Sequence, residues 1–366
     1  MDIIQIVPRM PPLVDGIGDY SLKLADQLLE HHGIVTNFLV CQQRKRLNPV
    51  IGGFPAVGLP NQEIETFLEL MPKGVTRVIL HYTNYPYVLG KHDAPFWLLN
   101  ALEAACQQHN LKLIVMFHEL PLLKKTRYIR PIQGFVALRI AKLADHVLTN
   151  CANFNAILSK WVQQPVATVP VFSNVCEPPS FPPLAERPRR MIVFGGPSRA
   201  RIYRDSADAL THACQALGIE EICDIGPSLK LDQLNVSDLV DVPIMEMGIR
   251  PLDEISELML MAIAGFFDYS RFPGYLAKSG VFAAYCAHGL VPISATYNPS
   301  EADGVCADQH YLIANQRLEE LKLQTLQTIA DTAHQWYAAH SQQKSADIFA
   351  DHLFNENTIR QPSFAS

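Results

Sequence analysis

Charge is scarce in this chain. Asp, Glu, Lys and Arg make up 18% of its 366 residues, against 48% hydrophobic residues. That balance excludes long disordered tracts and is ample for two buried cores. A basic excess is also lacking: 30 Lys and Arg against 36 Asp and Glu leave a net charge of -6. A general nucleic-acid binder carries a basic face, so no nucleic-acid partner is expected. No apolar run reaches the ~18 residues of a membrane span. The first residues lack the basic and apolar regions of a signal peptide, so a cytoplasmic protein is expected. The eight cysteines, Cys41, Cys106, Cys151, Cys176, Cys214, Cys223, Cys286 and Cys306, include no CxxC pair. They read as buried thiols of a reducing compartment, and no metal is expected. Cys286 and His288 are spaced for a metal, but no third ligand accompanies them, and they read as helix packing.

Several catalytic motifs are missing as well. A dinucleotide turn needs G-x-G-x-x-G directly after the first strand. Here Gly16-Ile17-Gly18-Asp19-Tyr20-Ser21 lacks the third glycine and begins eight residues after Pro8. There is no G-x-x-x-x-G-K-[ST] of a P-loop kinase and no G-x-S-x-G elbow of an α/β-hydrolase. There is no D-x-D triplet to hold a metal against a diphosphate. A sugar nucleotide would have to be neutralised by cationic side chains and helix ends.

What is present is alternation. Strand-like apolar runs near 2–8, 35–40, 76–81, 111–117, 146–149 and 166–172 are separated by helix-like runs such as 19–32, 92–109, 133–143 and 151–161. Asp19 reads as the cap of the first helix. Strand and helix in turn predict a parallel, doubly wound sheet. Pro178, Pro179, Pro182, Pro183 and Pro188 interrupt the pattern, and it resumes near 190–195, 221–224, 242–246, 265–269 and 290–294. The reading is therefore an N-terminal Rossmann-like domain over 1–172, a linker over 173–189 and a second such domain over 190–335. A helical tail over 336–366 is expected to pack back on the first domain.

In such sheets ligands bind beyond the carboxyl ends of the strands. Glycine and polar residues gather there: Gly16 and Gly18; His81 to Tyr85, with Asn84; His118 and Glu119; Gly195 and Gly196 with Arg199, Arg201 and Arg204; Ser270 and Arg271; Lys278, Ser279 and Gly280. Each has a plainer alternative. The glycines also suit ordinary turns, His118 a capped core position, and the arginines a solvated helix start. Three arginines at a helix N-terminus oppose its dipole, however, which points to an anionic partner. Lys124 to Arg130 reads either as a loop touching an anionic acceptor or membrane surface, or as an ordinary solvated loop.

These segments resemble glycosyltransferase family 4, a retaining group of GT-B fold glycosyltransferases. The resemblance rests on P-P-L-V-D-G-I-G-D-Y-S-L-K-L-A, V-M-F-H-E-L-P, I-A-K-L-A-D-H-V-L-T-N, F-G-G-P-S-R-A-R-I-Y-R, M-G-I-R-P-L-D-E-I-S-E-L and A-K-S-G-V-F-A-A-Y-C-A-H-G-L-V-P-I, and it covers most of the chain. It implies two Rossmann-like domains facing across a cleft. It implies a nucleotide-sugar donor such as a UDP- or GDP-sugar, with no metal or other cofactor, and a saccharide or lipid-linked acceptor. His118, Arg199, Arg204 and Lys278 are implied as catalytic. Gly16, Gly18, Gly196, Gly248, Ser279 and Gly280 are implied at the donor and its phosphates, and Asp19, Tyr20, Asn84 and Glu119 on the acceptor side. The family's E-x7-E pair is degenerate here: the segment from Tyr275 to Tyr285 contains no glutamate. Two readings follow, a transferase or a non-catalytic relative that binds a nucleotide sugar or glycan as a partner subunit.

Overall fold

The computed structural model describes the chain apart from residues 12, 14, 42–46, 73, 89, 91–92, 123–129, 230–239, 315–316 and 355–366. The basic stretch from Lys124 to Ile129 lies outside the described residues. The chain divides into two compact units. Unit 1 is Met1–Pro170 with Gln342–Ser366, and unit 2 is Val171–Ser341.

Unit 1 runs β1 (Asp2–Val7), α1 (Gly16–His32), β2 (Val35–Val40), β3 (Val50–Ile51), β4 (Phe54–Gly58), α2 (Ile64–Glu69), β5 (Arg77–Tyr82), α3 (Phe96–His109), β6 (Lys112–Phe117), α4 (Pro131–Leu143), β7 (His146–Thr149), α5 (Ala152–Leu158) and β8 (Val166–Thr168). Its sheet has the order β3-β4-β2-β1-β5-β6-β7-β8. Every pair is parallel except β3 with β4. The sequence reading placed no strand between 40 and 76; the short β3–β4 hairpin found there turns through Gly52 and Gly53, at φ 57° and 87°. The central strands are buried on both faces and mostly apolar, as befits a parallel sheet covered on both sides.

The first helix starts earlier than expected. Asp15, not Asp19, is its cap: Asp15 Oδ1 accepts from the backbone of Ile17 at 3.0 Å and Gly18 at 3.1 Å. Gly16 and Gly18 thus lie inside the first turn rather than in a loop. A carboxylate satisfying two otherwise unpaired N–H groups outweighs the poor helix propensity of glycine.

Unit 2 runs β9 (Arg190–Phe194), α6 (Ala200–Asp205), α7 (Ala207–Leu217), β10 (Glu221–Ile225), β11 (Ile244–Gly248), α8 (Leu252–Leu260), β12 (Ala264–Phe267), α9 (Gly280–Ala287), β13 (Val291–Ser294), β14 (Leu312–Ile313) and α10 (Leu323–Ala338). Its strand order, β11-β10-β9-β12-β13-β14, is that of a dinucleotide-binding sheet, with reversal between β9 and β12. α6 and α7 are separated at Ser206, whose φ of -134° is not helical. The core beneath is Met191, Val193, Tyr203, Leu210, Ile222, Phe266, Ile293 and Ile329.

The proline-rich stretch 173–189 is not a free spacer but part of unit 2. The Arg187 guanidinium is buried there, donating from Nε to Pro182 O at 2.9 Å and from Nη1 to Ala262 O and His288 O, both at 3.1 Å. Leu184 joins the unit 2 core. The last helix, α11 (Gln342–Phe354), returns to unit 1 and lies on α1. His32 Nε2 meets Asp347 Oδ1 at 3.0 Å, and Arg77 Nε donates to Leu353 O at 2.8 Å.

Candidate functional site

In unit 1, His118 sits one residue beyond β6, where its backbone N–H continues the ladder to Tyr82 O at 2.9 Å. His118 is buried, at 6% exposed. Asn150 Nδ2 holds the His118 carbonyl at 3.0 Å. The ring of Tyr20, from α1, meets the His118 ring edge-on at 5.0 Å between centroids. His118 Nε2 lies 3.0 Å from His81 Nδ1, and the two rings stack. Burial, and then the neighbouring His118, push the His81 pKa well below its ordinary value, so His81 is neutral.

The other unit 1 residues divide into those near the surface and those that pack. Tyr20 is buried, so it shapes the walls around His118. Asp19 is half-buried, and burial followed by the charge of Asp15 raises its pKa to about 6. Glu119 is half-buried beside His118. Asn84 is buried at the end of β5, and its Oδ1 has no hydrogen-bond partner among the described residues. Gly18 is required by packing: a Cβ there would lie 2.5 Å from Arg9 O. At Gly16 a Cβ would meet nothing within 4 Å.

In unit 2, the turn after β9 carries the arginines, and the structure separates them. Arg199, expected at the diphosphate, is consumed inside the unit. Its Nε reaches both Asp224 oxygens at 3.1 and 3.0 Å, Nη2 reaches Asp224 Oδ1 at 2.6 Å and Pro227 O at 2.7 Å, and Nη1 reaches Gly195 O at 3.0 Å. Tyr203 completes the set by donating to Asp224 Oδ2 at 2.7 Å. This network ties the β9 turn to β10. Gly226, at φ +143°, allows it, because a Cβ there would stand 2.1 Å from Gly195 O and 2.7 Å from Arg199 Nη1.

Arg201 and Arg204 point elsewhere. Arg201 Nη1 lies 3.8 Å from Asp268 Oδ2, just past β12, and so at the point where the strand order reverses. Arg204 is exposed and pairs with Asp205, Nε to Oδ1 at 2.9 Å. The Asp205 carboxyl is held below its ordinary range, first by the hydrogen bond from Arg204 and then by the charges of Arg204, Arg201 and Arg271. Three guanidinium groups therefore converge beside two carboxylates at the carboxyl end of the sheet. Lys278 is part of the same end of the unit. Its ammonium stands over the rings of Phe272 at 5.3 Å and Tyr275 at 5.8 Å. Ser279 caps α9, its Oγ accepting from Phe282 N at 3.2 Å.

Packing requires glycine at none of three expected donor positions: a Cβ at Gly196, Gly248 or Gly280 would meet nothing within 4 Å. Gly248 is nonetheless held at φ +69°.

Asn298 and Ser300 brace the loop that carries Lys278, and the sequence reading missed both. Asn298 Oδ1 accepts from Gly274 N at 2.9 Å, and Ser300 Oγ accepts from Leu276 N at 3.2 Å. They lie more than twenty positions away in the chain, so no local spacing marks them. Among the described residues no group of three His, Cys, Asp or Glu side chains is placed to hold a metal ion, and no helix is long and apolar enough to cross a membrane.

No protein-family model and no curated protein matches the sequence. Solved structures do match the fold. HepE of Anabaena, solved with UDP and glucose, is 12% identical at a TM-score of 0.64, covering 96% of this chain and 99% of its own. UDP-GlcNAc 2-epimerase of Neisseria meningitidis, bound to UDP-GlcNAc, is 12% identical at 0.62, covering 96% and 99%. An α-glucosyltransferase with UDP is 11% identical at 0.60, again covering 96% and 99%. Further structures of α-glucosyltransferase contain DNA. The exclusion of a nucleic-acid partner is therefore corrected. Net charge sums the whole chain, whereas a nucleic-acid surface is local, and this fold occurs in transferases solved on DNA. Two parallel-sheet units, each with its polar residues at the strand ends, and agreement along nearly the full length of these structures give the chain the GT-B fold.

Proposed function

We propose that the chain is a glycosyltransferase that moves a sugar from a UDP-sugar to a hydroxyl acceptor. The observation that carries this reading is the cation set of unit 2: Arg201, Arg204 and Arg271 gathered where the strand order reverses. A departing diphosphate develops negative charge, and fixed guanidinium groups stabilise that charge with little reorganisation. Lys278 and the N-terminus of α9 add to the same field. Arg199 is assigned to holding the turn, and Arg201 takes its place at the phosphates. The UDP-bound structures sharing the fold support uridine as the base.

His118 is assigned to the transferred sugar, with Asn84, Asp19 and Glu119 toward the acceptor. No carboxylate is assigned as general base. The leaving phosphate takes the acceptor proton, so attack and departure share one face of the sugar and configuration is retained. The arginines and Lys278 supply the positive charge that a metal supplies in other transferases, so turnover is expected to survive EDTA.

Thermal-shift measurements with UDP, GDP and their sugars test the donor. Ligand at 100 times its Kd adds about 2.7 kcal/mol of stability. UDP release is then followed over a panel of oligosaccharide, lipid-linked and duplex DNA acceptors. Stabilisation by none of the nucleotides overturns the reading. Binding without UDP release makes the chain a non-catalytic partner subunit, and conversion of the bound sugar to its epimer makes it an epimerase.

A further inference from the structure

A line of polar side chains crosses one face of the unit 1 sheet beneath α1. Thr36 lies opposite Ile3 in the β1–β2 ladder, so it shares a face with Gln5. Leu80 lies opposite Ile6, which puts His81 on that face too. His118 follows at the end of β6. Thr36, Gln5 and His81 are fully buried in a largely apolar core. Apolar residues would fill these places without the cost of burying polar groups. All are paired: Gln5 Nε2 with Thr36 Oγ1 at 3.1 Å, Gln5 Oε1 with His81 Nε2 at 2.8 Å, and His81 Nδ1 with His118 Nε2 at 3.0 Å.

The bonds have a direction. The amide oxygen of Gln5 can only accept, so His81 carries its proton on Nε2. His81 is neutral, so its Nδ1 can only accept. His118 must then donate from Nε2, and Nδ1 is the only ring nitrogen at which it gains or loses a proton.

We propose that Thr36, Gln5 and His81 are positioning residues that hold His118 as the Nε2–H tautomer. With its proton on Nε2, neutral His118 can only accept at Nδ1, so any partner at that edge must donate, as a hydroxyl of the transferred sugar does. A phosphate oxygen, which only accepts, is refused by that edge. The proposal rests on the transferase reading for the identity of that hydroxyl. The relay itself does not depend on it.

The test uses the ¹⁵N-labelled full chain at pH 8 and long-range ¹H–¹⁵N correlation spectra of the histidines, assigned with His81→Ala and His118→Ala. Wild type is expected to show His81 and His118 both protonated at Nε2. Gln5→Leu removes the acceptor and is expected to give mixed tautomers at both rings. Gln5→Glu is isosteric and places a carboxylate against His81, favouring its imidazolium. At pH 6 the charged His81 would donate to His118 Nε2, moving the neutral His118 proton to Nδ1. Turnover of UDP-sugar is expected to fall on the order of 10- to 100-fold in kcat for both variants, with the donor KM unchanged. Thr36→Val, also isosteric, should fall less.

Nδ1–H on His118 in wild type overturns the proposal, as does Nε2–H unchanged in wild type and both Gln5 variants. If the tautomers behave as stated but wild type turns over no UDP-sugar, the relay stands and the transferase reading fails. Turnover with the wrong tautomer sinks the relay alone.

Discussion

The two units place different chemistry at equivalent positions. Beyond the strands of unit 1 the described rings packed on His118 are uncharged: the neutral His81 ring stacked on it and the Tyr20 ring edge-on. Beyond the strands of unit 2 the groups are charged and largely open to solvent: Arg204 and Arg271, with Arg201 half-buried. The difference matches what each would do. A charged leaving group needs fixed charge of opposite sign, whereas a sugar hydroxyl needs a directed lone pair. Unit 2 nevertheless contains both kinds of arginine within a few positions of each other. Arg199 is locked in a buried pair with Asp224, while Arg204 is exposed beside Asp205.

Separating those two arginines breaks the comparison most forcefully. Arg199→Ala strands Asp224 as an uncompensated buried charge and is expected to cost about 3–5 kcal/mol. Chemical denaturation should show it, whereas Arg204→Ala should move stability by no more than ~0.5 kcal/mol. Equal losses in the two variants would erase the distinction. The next effect is on the donor. Lys278→Ala removes a cation next to the α9 terminus and is expected to weaken UDP binding by about 1.5–3 kcal/mol, readable by calorimetry, with folding intact. Gly18→Val tests the packed side. Its added atoms meet the Arg9 carbonyl, so a loss of about 1–3 kcal/mol is expected. Gly196→Ala, with open space around its Cβ, should lose little and instead weaken donor binding.

The smallest effect sharpens the electrostatic contrast. Asp19 is protonated more readily in the folded state, at about 6, than at its ordinary value of 3.8. The folded state therefore binds the proton more tightly, and stability falls as pH rises from about 4 through 6. Asp19→Asn removes that loss. Its melting temperature should exceed wild type at pH 7, and the gap should close below about pH 4. A gap that persists at pH 3 would mean that Asp19 acts by something other than its charge.

The sheets were legible because the strands of a covered parallel sheet are unbroken apolar runs, as in Lys112–Phe117. The start of α1 was misread because the glycines signal a turn, while the capping bond from Asp15 outweighs them. The arginines could not be sorted from spacing. What separates Arg199 from Arg201 is Asp224 on a strand formed later in the chain, a contact with no local trace. His118 stood out at a strand end, but its partners did not. In the sequence Gln5 is a polar residue within an apolar run and Thr36 stands beside polar Asn37, and only the register of three ladders aligns Gln5, Thr36 and His81.

The return of α11 to unit 1 has a consequence for how the protein comes into being. The bond from His32 to Asp347 joins residues 315 positions apart. A growing chain therefore exposes the face of α1 that α11 covers throughout the synthesis of unit 2, until α11 emerges. Unit 2 is contiguous and can close on its own as it leaves the ribosome. Unit 1 is thus completed only after unit 2 has been made, and α1 is the surface left uncovered in the interval.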